Sequence, residues 1–266
     1  MNKVTSADGT TVAAAHSGDG PAVVLVGGAL QHRAIDPSTQ QLVALLAPDF
    51  TVWHYERRGR GDSGDTLPYA VDREIEDLAA VIAAAGGSAA VYGMSSGAAL
   101  ALRAAASGLP ITRLALYEPP LIVDESRPPL PADYLPRLAA LPAAGRRGDA
   151  VALFMTDAVG VPAEEVAGMR QAPVWSAFEA VAHTLAYDGA VMGDTMSGQP
   201  LPTQWATSVT VPTLVIDGGA SEGWARTSVA ELAELLPAGQ RRSLDGQTHA
   251  VDPAVLAPVL AEFLRG

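Results

Sequence analysis

A chain of 266 residues with 48% hydrophobic and 17% charged side chains is long and apolar enough to bury about three quarters of its unfolded surface as one large domain, which excludes a disordered segment. It contains no cysteine, so a disulfide framework, a thiolate metal site and a cysteine nucleophile are all excluded. Lys and Arg number 17 against 29 Asp and Glu, and the resulting net charge of -12 repels nucleic acid and anionic lipid over most of the surface.

Taken in chain order, short apolar runs alternate with helical patterns, which predicts an α/β fold with a mostly parallel sheet. Ala22 to Val26 reads as a buried strand, followed by the turn Gly27-Gly28 and a helix near Thr39 to Leu46. Thr51 to Tyr55 is a second strand and runs into the turn-rich Arg57 to Asp65. A helix is expected from Asp72 to Ala85, opening on acidic residues and stopped by Gly86-Gly87. Ala89 to Tyr92, a helix over Ser96 to Ala106, and the strand Ile111 to Tyr117 continue the rhythm. From Pro119 to about Thr207 no strand is predicted; helical stretches at 149–158, 163–170 and 177–187 suggest an insertion packed on the sheet, since helices this short need a surface to lie on. The rhythm resumes with a strand at Val211 to Ile216, a helix over 224–236, a short strand at 241–244 and a last helix, Pro253 to Leu264. The expected division is a core of 1–118 and 208–266 with a helical cap of 119–207.

Two segments match G-x-S-x-G, Gly93-Met94-Ser95-Ser96-Gly97 and Gly219-Ala220-Ser221-Glu222-Gly223. A serine presented on a sharp strand-to-helix turn needs an apolar strand directly before the first glycine and small residues where strand and helix nearly collide. Ala89 to Tyr92 feeds straight into Gly93, and Gly97-Ala98-Ala99 supplies the small residues. The second match is set off from its strand by Asp217-Gly218 and followed by the bulky Trp224, so Ser95 is the favoured nucleophile. At the first turn of a helix, its hydroxyl would also sit beside free N–H groups that stabilise an anion.

With these residues the chain resembles the α/β-hydrolase superfamily over nearly its whole length. The segment from Tyr55 to Ser63 is similar to the family's D-x-R-G-x-G-x-S turn, and its three arginines are read as a fold element. Val26-Gly27-Gly28-Ala29-Leu30 stands where the family carries H-G-x, with glycine in place of histidine. The resemblance implies an α/β-hydrolase fold with an inserted helical cap and an oxyanion hole formed by the N–H groups of Ala29 and Ser96. It also implies a histidine base in the loop before the last helix, where His249 lies; His16, His32, His54 and His183 are read as packed or surface residues, with His32 and His183 able to face a pocket. The acid is less directly marked. The commonest family position after the strand 211–216 is here Ser221. Some relatives, haloalkane dehalogenases among them, hold the acid at the end of the preceding strand, where Glu118 ends an apolar run. Glu118 is therefore preferred, with Asp217 and Glu222 as alternatives, while Asp252 reads as the N-cap of the last helix.

Leu30, Met94, Phe154, Met155, Trp175, Phe178, Tyr187, Met192 and Trp205 are candidates to line an apolar pocket, against the plainer role of fixing the insertion to the sheet. The insertion has no basic cluster to clamp a phosphate or dicarboxylate, the glycine pairs lack the rest of a phosphate-binding loop, and the histidines are too scattered for a metal centre. No cofactor and no metal are expected. The expected activity is that of a serine esterase or lactonase: hydrolysis of a carboxylic ester, thioester or lactone of a neutral, largely apolar small molecule through an acyl-enzyme. The alternative is a protein of the same fold without hydrolytic chemistry, a cofactor-free lyase or acyltransferase or a small-molecule-binding pseudoenzyme. With no apolar run near the ~20 residues of a membrane span and no apolar leader core, a soluble cytoplasmic protein is expected, monomer or homodimer, with neither nucleic acid nor membrane as partner.

Overall fold

In a computed structural model that describes residues 2–266, eight strands form one sheet in the order β1-β2-β4-β3-β5-β6-β7-β8. The edge hairpin of β1 (Asn2–Thr5) and β2 (Thr11–Ser17) is antiparallel and joins β4 (Thr51–Tyr55) in antiparallel fashion. From β4 onward every pairing is parallel, through β3 (Ala22–Val26), β5 (Ala89–Met94), β6 (Ile111–Tyr117), β7 (Thr213–Gly218) and β8 (Gly239–Leu244). A parallel sheet is covered on both faces, so its central strands must be apolar on successive residues, as the sequence AVVLV of β3 is.

Alternation along the strands sorts their side chains into two layers. Val24, Val91, Leu114 and Val215 pack on one face with α2 (Val71–Ala84), α3 (Ser96–Ala106) and α10 (Gly223–Leu235). Val23, Tyr92, Tyr117 and Ile216 pack on the other with α1 (Pro37–Leu46) and α11 (Pro253–Arg265). Each helix presents an apolar stripe at helical spacing, such as Leu78, Val81 and Ile82 on α2 or Leu256, Leu260 and Leu264 on α11.

Between β6 and β7 the chain is helical: α4 (Tyr134–Ala143), α5 (Arg147–Leu153), a π-helical turn at Phe154–Val159, α6 (Ala163–Met169), α7 (Trp175–Ala180), α8 (Leu185–Met192) and α9 (Thr203–Ser208). This insertion has its own apolar cluster, which meets the sheet end at Leu30 through residues such as Leu138, Val151, Trp175 and Leu185.

The predicted boundaries need several corrections. The β1–β2 hairpin was not expected: β1 is an exposed edge with no apolar pattern to read, and the buried part of β2 is the short run Val12-Ala13-Ala14. The strand expected from Val211 starts at Thr213, after Pro212, which has no N–H for the ladder. The helix expected over 149–158 changes to π geometry at Phe154, and the one over 177–187 is broken between Ala180 and Leu185 by a 3₁₀ turn, Ala182–Thr184. The helix α4 was missed because it carries Pro136 and Pro142. Pro136 sits in its first turn, where a missing N–H costs nothing.

Candidate active site

The strand β5 delivers Gly93 and Met94 into Ser95, whose backbone is at φ 56° and ψ −128°, and α3 starts at the next residue. Such a reversal requires strand and helix to touch. A Cβ on Gly93 would lie 2.5 Å from the Gly97 carbonyl oxygen, and one on Gly97 would collide with the carbonyls of Val26 and Gly27. The glycines of Gly93-Met94-Ser95-Ser96-Gly97 are thus sterically required. Across the elbow, a Cβ on Gly28 would stand 2.9 Å from that of Ser95, so the glycine loop after β3 closes directly over the serine. The Gly28 N–H donates to Gln31 Oε1, whose amide in turn reaches Met94 Sδ at 3.8 Å. Ser96 opens α3, so its N–H has no carbonyl within the helix to receive it.

The loop between β8 and α11 carries His249. Tyr117 Oη donates to the Thr248 carbonyl at 2.6 Å, the Ala220 N–H donates to the Gln247 carbonyl, and Asp252 caps α11 on the Ala254 N–H. These contacts leave the imidazole half exposed, with Nδ1 2.8 Å from Glu118 Oε2. Glu118 is buried at the end of β6, with φ 40°. Its other oxygen accepts from the Gly218 N–H at 2.7 Å and from the Ser221 hydroxyl at 2.5 Å. Burial pushes this carboxyl up, but the bonds from His249, Ser221 and Gly218 outweigh it and hold the group below the usual glutamate value. An ionised carboxylate only accepts, so Nδ1 carries the proton and Nε2 is the free acceptor.

Of the two alternative acids, Asp217 is fully buried on β7, with Oδ1 taken by Arg241 at 3.0 Å and Oδ2 by Ser243 at 2.8 Å, and it does not line the cavity. Glu222 lines the cavity but accepts from the Trp224 indole N–H at 2.6 Å. Glu118 is the carboxylate that meets the imidazole. Ser221, whose motif resembles a second elbow, acts as a donor to that carboxylate. His249 is also the histidine of the cavity: His16 stacks on Trp53, His54 is buried, His183 Nε2 is 3.5 Å from Asp65, and His32 lines a separate cavity of about 260 Å³.

Ser95, Ala29, Ser96, Glu118 and His249 line a single cavity of about 730 Å³ between sheet and insertion. Of the predicted lining, Leu30, Met94, Phe154, Met155, Phe178 and Met192 belong to it. Three predicted residues do not. Trp175 is buried in the cluster of the insertion, Tyr187 stacks on Tyr69 at 3.9 Å, and Trp205 packs beneath Arg103. Tyr134, Val159, Met196 and Trp224 complete an apolar wall that the sequence did not mark. Among the described residues no Lys or Arg lines the cavity, whereas Asp36, Glu118, Asp188 and Glu222 do.

The three arginines of the turn after β4 are buried in ion pairs, Arg57 with Glu74 and Asp188, Arg58 with Asp77 and Asp8, and Arg60 with Asp188. Asp188, from α8, is the site residue sequence reasoning missed; nothing in the spacing connects it to a turn more than a hundred residues earlier. Burial pushes its carboxyl up, but Arg60 and Arg57, with the Ser96 hydroxyl, hold it below the usual aspartate value.

The fold is shared with proteins of known structure. The sequence profile described as "Alpha/beta hydrolase family" matches residues 23–259. The chain is 61% identical to an alpha/beta hydrolase from Sphaerobacter thermophilus DSM 20745 of known crystal structure, over 98% of this chain and 99% of that one, with a TM-score of 0.91. An enol-lactonase from Burkholderia xenovorans LB400 shares the fold at 21% identity, with full coverage of both chains and a TM-score of 0.71. An esterase from Rhodococcus sp. ECU1013 does so at 20% identity, over 100% and 98% of the two chains, with a TM-score of 0.67. A search of curated proteins finds no match.

Proposed function

The chain belongs to the alpha/beta hydrolase family, and from that membership and the site geometry we propose that it is a serine hydrolase cleaving a carboxylic ester, thioester or lactone of a neutral, largely apolar small molecule. The observation that carries the reading is the buried Glu118 bonded to His249 Nδ1, with both residues on the cavity that Ser95 lines in its strained turn. Ser95 Oγ attacks the carbonyl carbon while His249 Nε2 takes the hydroxyl proton, and Glu118 steadies the imidazolium that forms. The carbonyl oxygen becomes an oxyanion, received by the N–H groups of Ala29 and Ser96. Collapse breaks the bond to the leaving group, which takes the proton back from Nε2, and water repeats the sequence to release the acid. The helical insertion caps the acyl site, and its apolar wall without basic side chains favours neutral acyl groups over anionic ones.

Treatment with a fluorophosphonate followed by peptide mapping tests the nucleophile, and a chromogenic ester panel of graded acyl length, run beside Ser95→Ala, tests turnover. Each methylene that enters the apolar cavity is worth about 0.8 kcal/mol, close to fourfold in kcat/KM, until the space is filled. A folded protein that is unlabelled at Ser95 and hydrolyses no ester favours ligand binding or lyase chemistry instead.

A further inference from the structure

Behind the glycine loop lies a charge cluster that the acyl chemistry does not itself employ. Asp188 joins two buried guanidiniums, with Oδ1 accepting from Arg57 Nη1 at 2.6 Å and Oδ2 from Arg60 Nη2 at 2.7 Å. Arg57 is paired through its other nitrogens with Glu74. Two cations and two anions therefore balance, the condition under which burying so many charges is tolerable.

Among the bonds that leave this cluster toward the site, two bear on the oxyanion donors. Arg60 Nη1 donates to the carbonyl oxygen of Gly28, and that carbonyl lies in the same peptide plane as the Ala29 N–H. The Ser96 hydroxyl donates to Asp188 Oδ1 at 2.7 Å, and Ser96 is the residue that follows the nucleophile. The peptide that carries one N–H assigned to the oxyanion hole, and the side chain of the residue that carries the other, are thus held by the two partners of one ion pair. A cationic donor on a carbonyl draws electron density along the peptide and strengthens the N–H at its other end. It also fixes the tilt of the plane, and the value of an oxyanion donor depends on being aimed in advance.

We propose that Arg60, anchored by Asp188, is a positioning residue for the oxyanion hole: it orients and polarises the Gly28–Ala29 peptide, while Asp188 holds Ser96. Because Asp188 arrives on α8, the hole is complete only when the insertion is seated on the sheet. This inference rests on the serine-hydrolase reading above.

Arg60→Lys keeps the charge but lacks the planar fork needed to hold Gly28 and Asp188 together. Ser96→Ala removes one hydroxyl and leaves the backbone N–H in place. With a p-nitrophenyl ester, Arg60→Lys is expected to lower kcat about a hundredfold and Ser96→Ala about tenfold, with KM changed less than about threefold in both. A trifluoromethyl ketone, which forms a tetrahedral oxyanion on Ser95, should lose affinity in step with kcat/KM. The corresponding alcohol, which fills the cavity without forming an oxyanion, should bind as before. Should Arg60→Lys fail to fold by circular dichroism, Ser96→Ala carries the same comparison. A folded variant with kcat within about twofold of wild type, or one that loses ketone and alcohol affinity equally, overturns the inference while leaving the hydrolase reading intact. A wild-type protein without Ser95 labelling removes both.

Discussion

Replacing Glu118 with glutamine tests the assignment of the acid, and the hydrogen bonds around the carboxylate fix what the amide must do. One oxygen faces the Gly218 N–H, a donor that cannot turn away, and the other faces His249 Nδ1. Pointing the amide NH₂ at Gly218 sets donor against donor in a buried place and costs about 1–3 kcal/mol. Pointing it at His249 costs only a change of tautomer, since imidazole accepts on either nitrogen. The amide therefore keeps its oxygen on Gly218 and donates to Nδ1, which moves the imidazole proton to Nε2, the atom that must receive the proton of Ser95. A triad forced into the wrong tautomer loses about 10⁴ in kcat, near 5.5 kcal/mol of transition-state stabilisation. Initial rates on an activated ester, with circular dichroism to verify folding, measure the effect. Asp217→Asn is the control: with its oxygens committed to Arg241 and Ser243, it should lower stability and leave kcat within about threefold. A folded Glu118→Gln protein that keeps more than about a tenth of its activity, or inactivation by Asp217→Asn, would refute the assignment.

Three further outcomes follow from the backbone and from burial. Ser95→Gly and Ser95→Ala should both be inactive, but the glycine form should be the more stable by about 1 kcal/mol in chemical denaturation, since it relieves the φ of 56° at the cost of extra freedom in the unfolded chain; a glycine form less stable than the alanine form would show that the turn stores no strain. Gly97→Ala places a Cβ 2.5 Å from the Gly27 carbonyl oxygen and should cost about 3 kcal/mol, or roughly 6–12 °C in Tm; an unchanged melt would contradict the close packing of strand and helix. Burial depresses His54 below its ordinary value of 6.5, so the unfolded chain takes up the proton first as pH falls. Its contribution is fully present above pH 6.5 and declines as pH drops toward the folded value. His54→Gln should therefore flatten the stability profile just below 6.5, and an unaltered slope would count against a buried neutral imidazole.

What the sequence revealed was decided by how locally each feature is encoded. β3, β5 and β6 are legible because strands covered on both faces must be apolar at successive positions, and Gly93 and Gly97 because contact between strand and helix admits no side chain there, which marks the Ser95 between them. Glu118 is legible for a related reason: a carboxylate closing an apolar strand requires partners, and the structure supplies three. The outer strand β1 carries no such constraint. The division of aromatics between cavity and core is hidden because apolar surface is buried in both, so Phe178 and Trp175 look alike in sequence while one lines the cavity and the other holds the insertion together. Asp188 is hidden because its partners are set by tertiary packing of the insertion alone.

Among the described residues, the non-glycine residues with positive φ are Leu30, Ser95 and Glu118, at 63°, 56° and 40°. Each follows the carboxyl end of a parallel strand, β3, β5 or β6, and these strands are neighbours in the sheet. Conformations of this kind cost about 1–3 kcal/mol each and persist only where the surroundings over-determine them. The ladder supplies that constraint for two of the three: the Ser95 N–H still donates to the Tyr117 carbonyl at 2.9 Å, and the Glu118 N–H to that of Ile216 at 3.0 Å. Ser95 and Glu118 are thus each clamped by the adjacent strand at the nitrogen and reversed at the Cα, so the side chain leaves the sheet in one direction. Ser95 and Glu118 directly follow strand ends, whereas His249 sits within a loop and is half exposed. This division matches the chemistry, since nucleophile and acid keep fixed places throughout the cycle, whereas the imidazole must address the serine and then the leaving group.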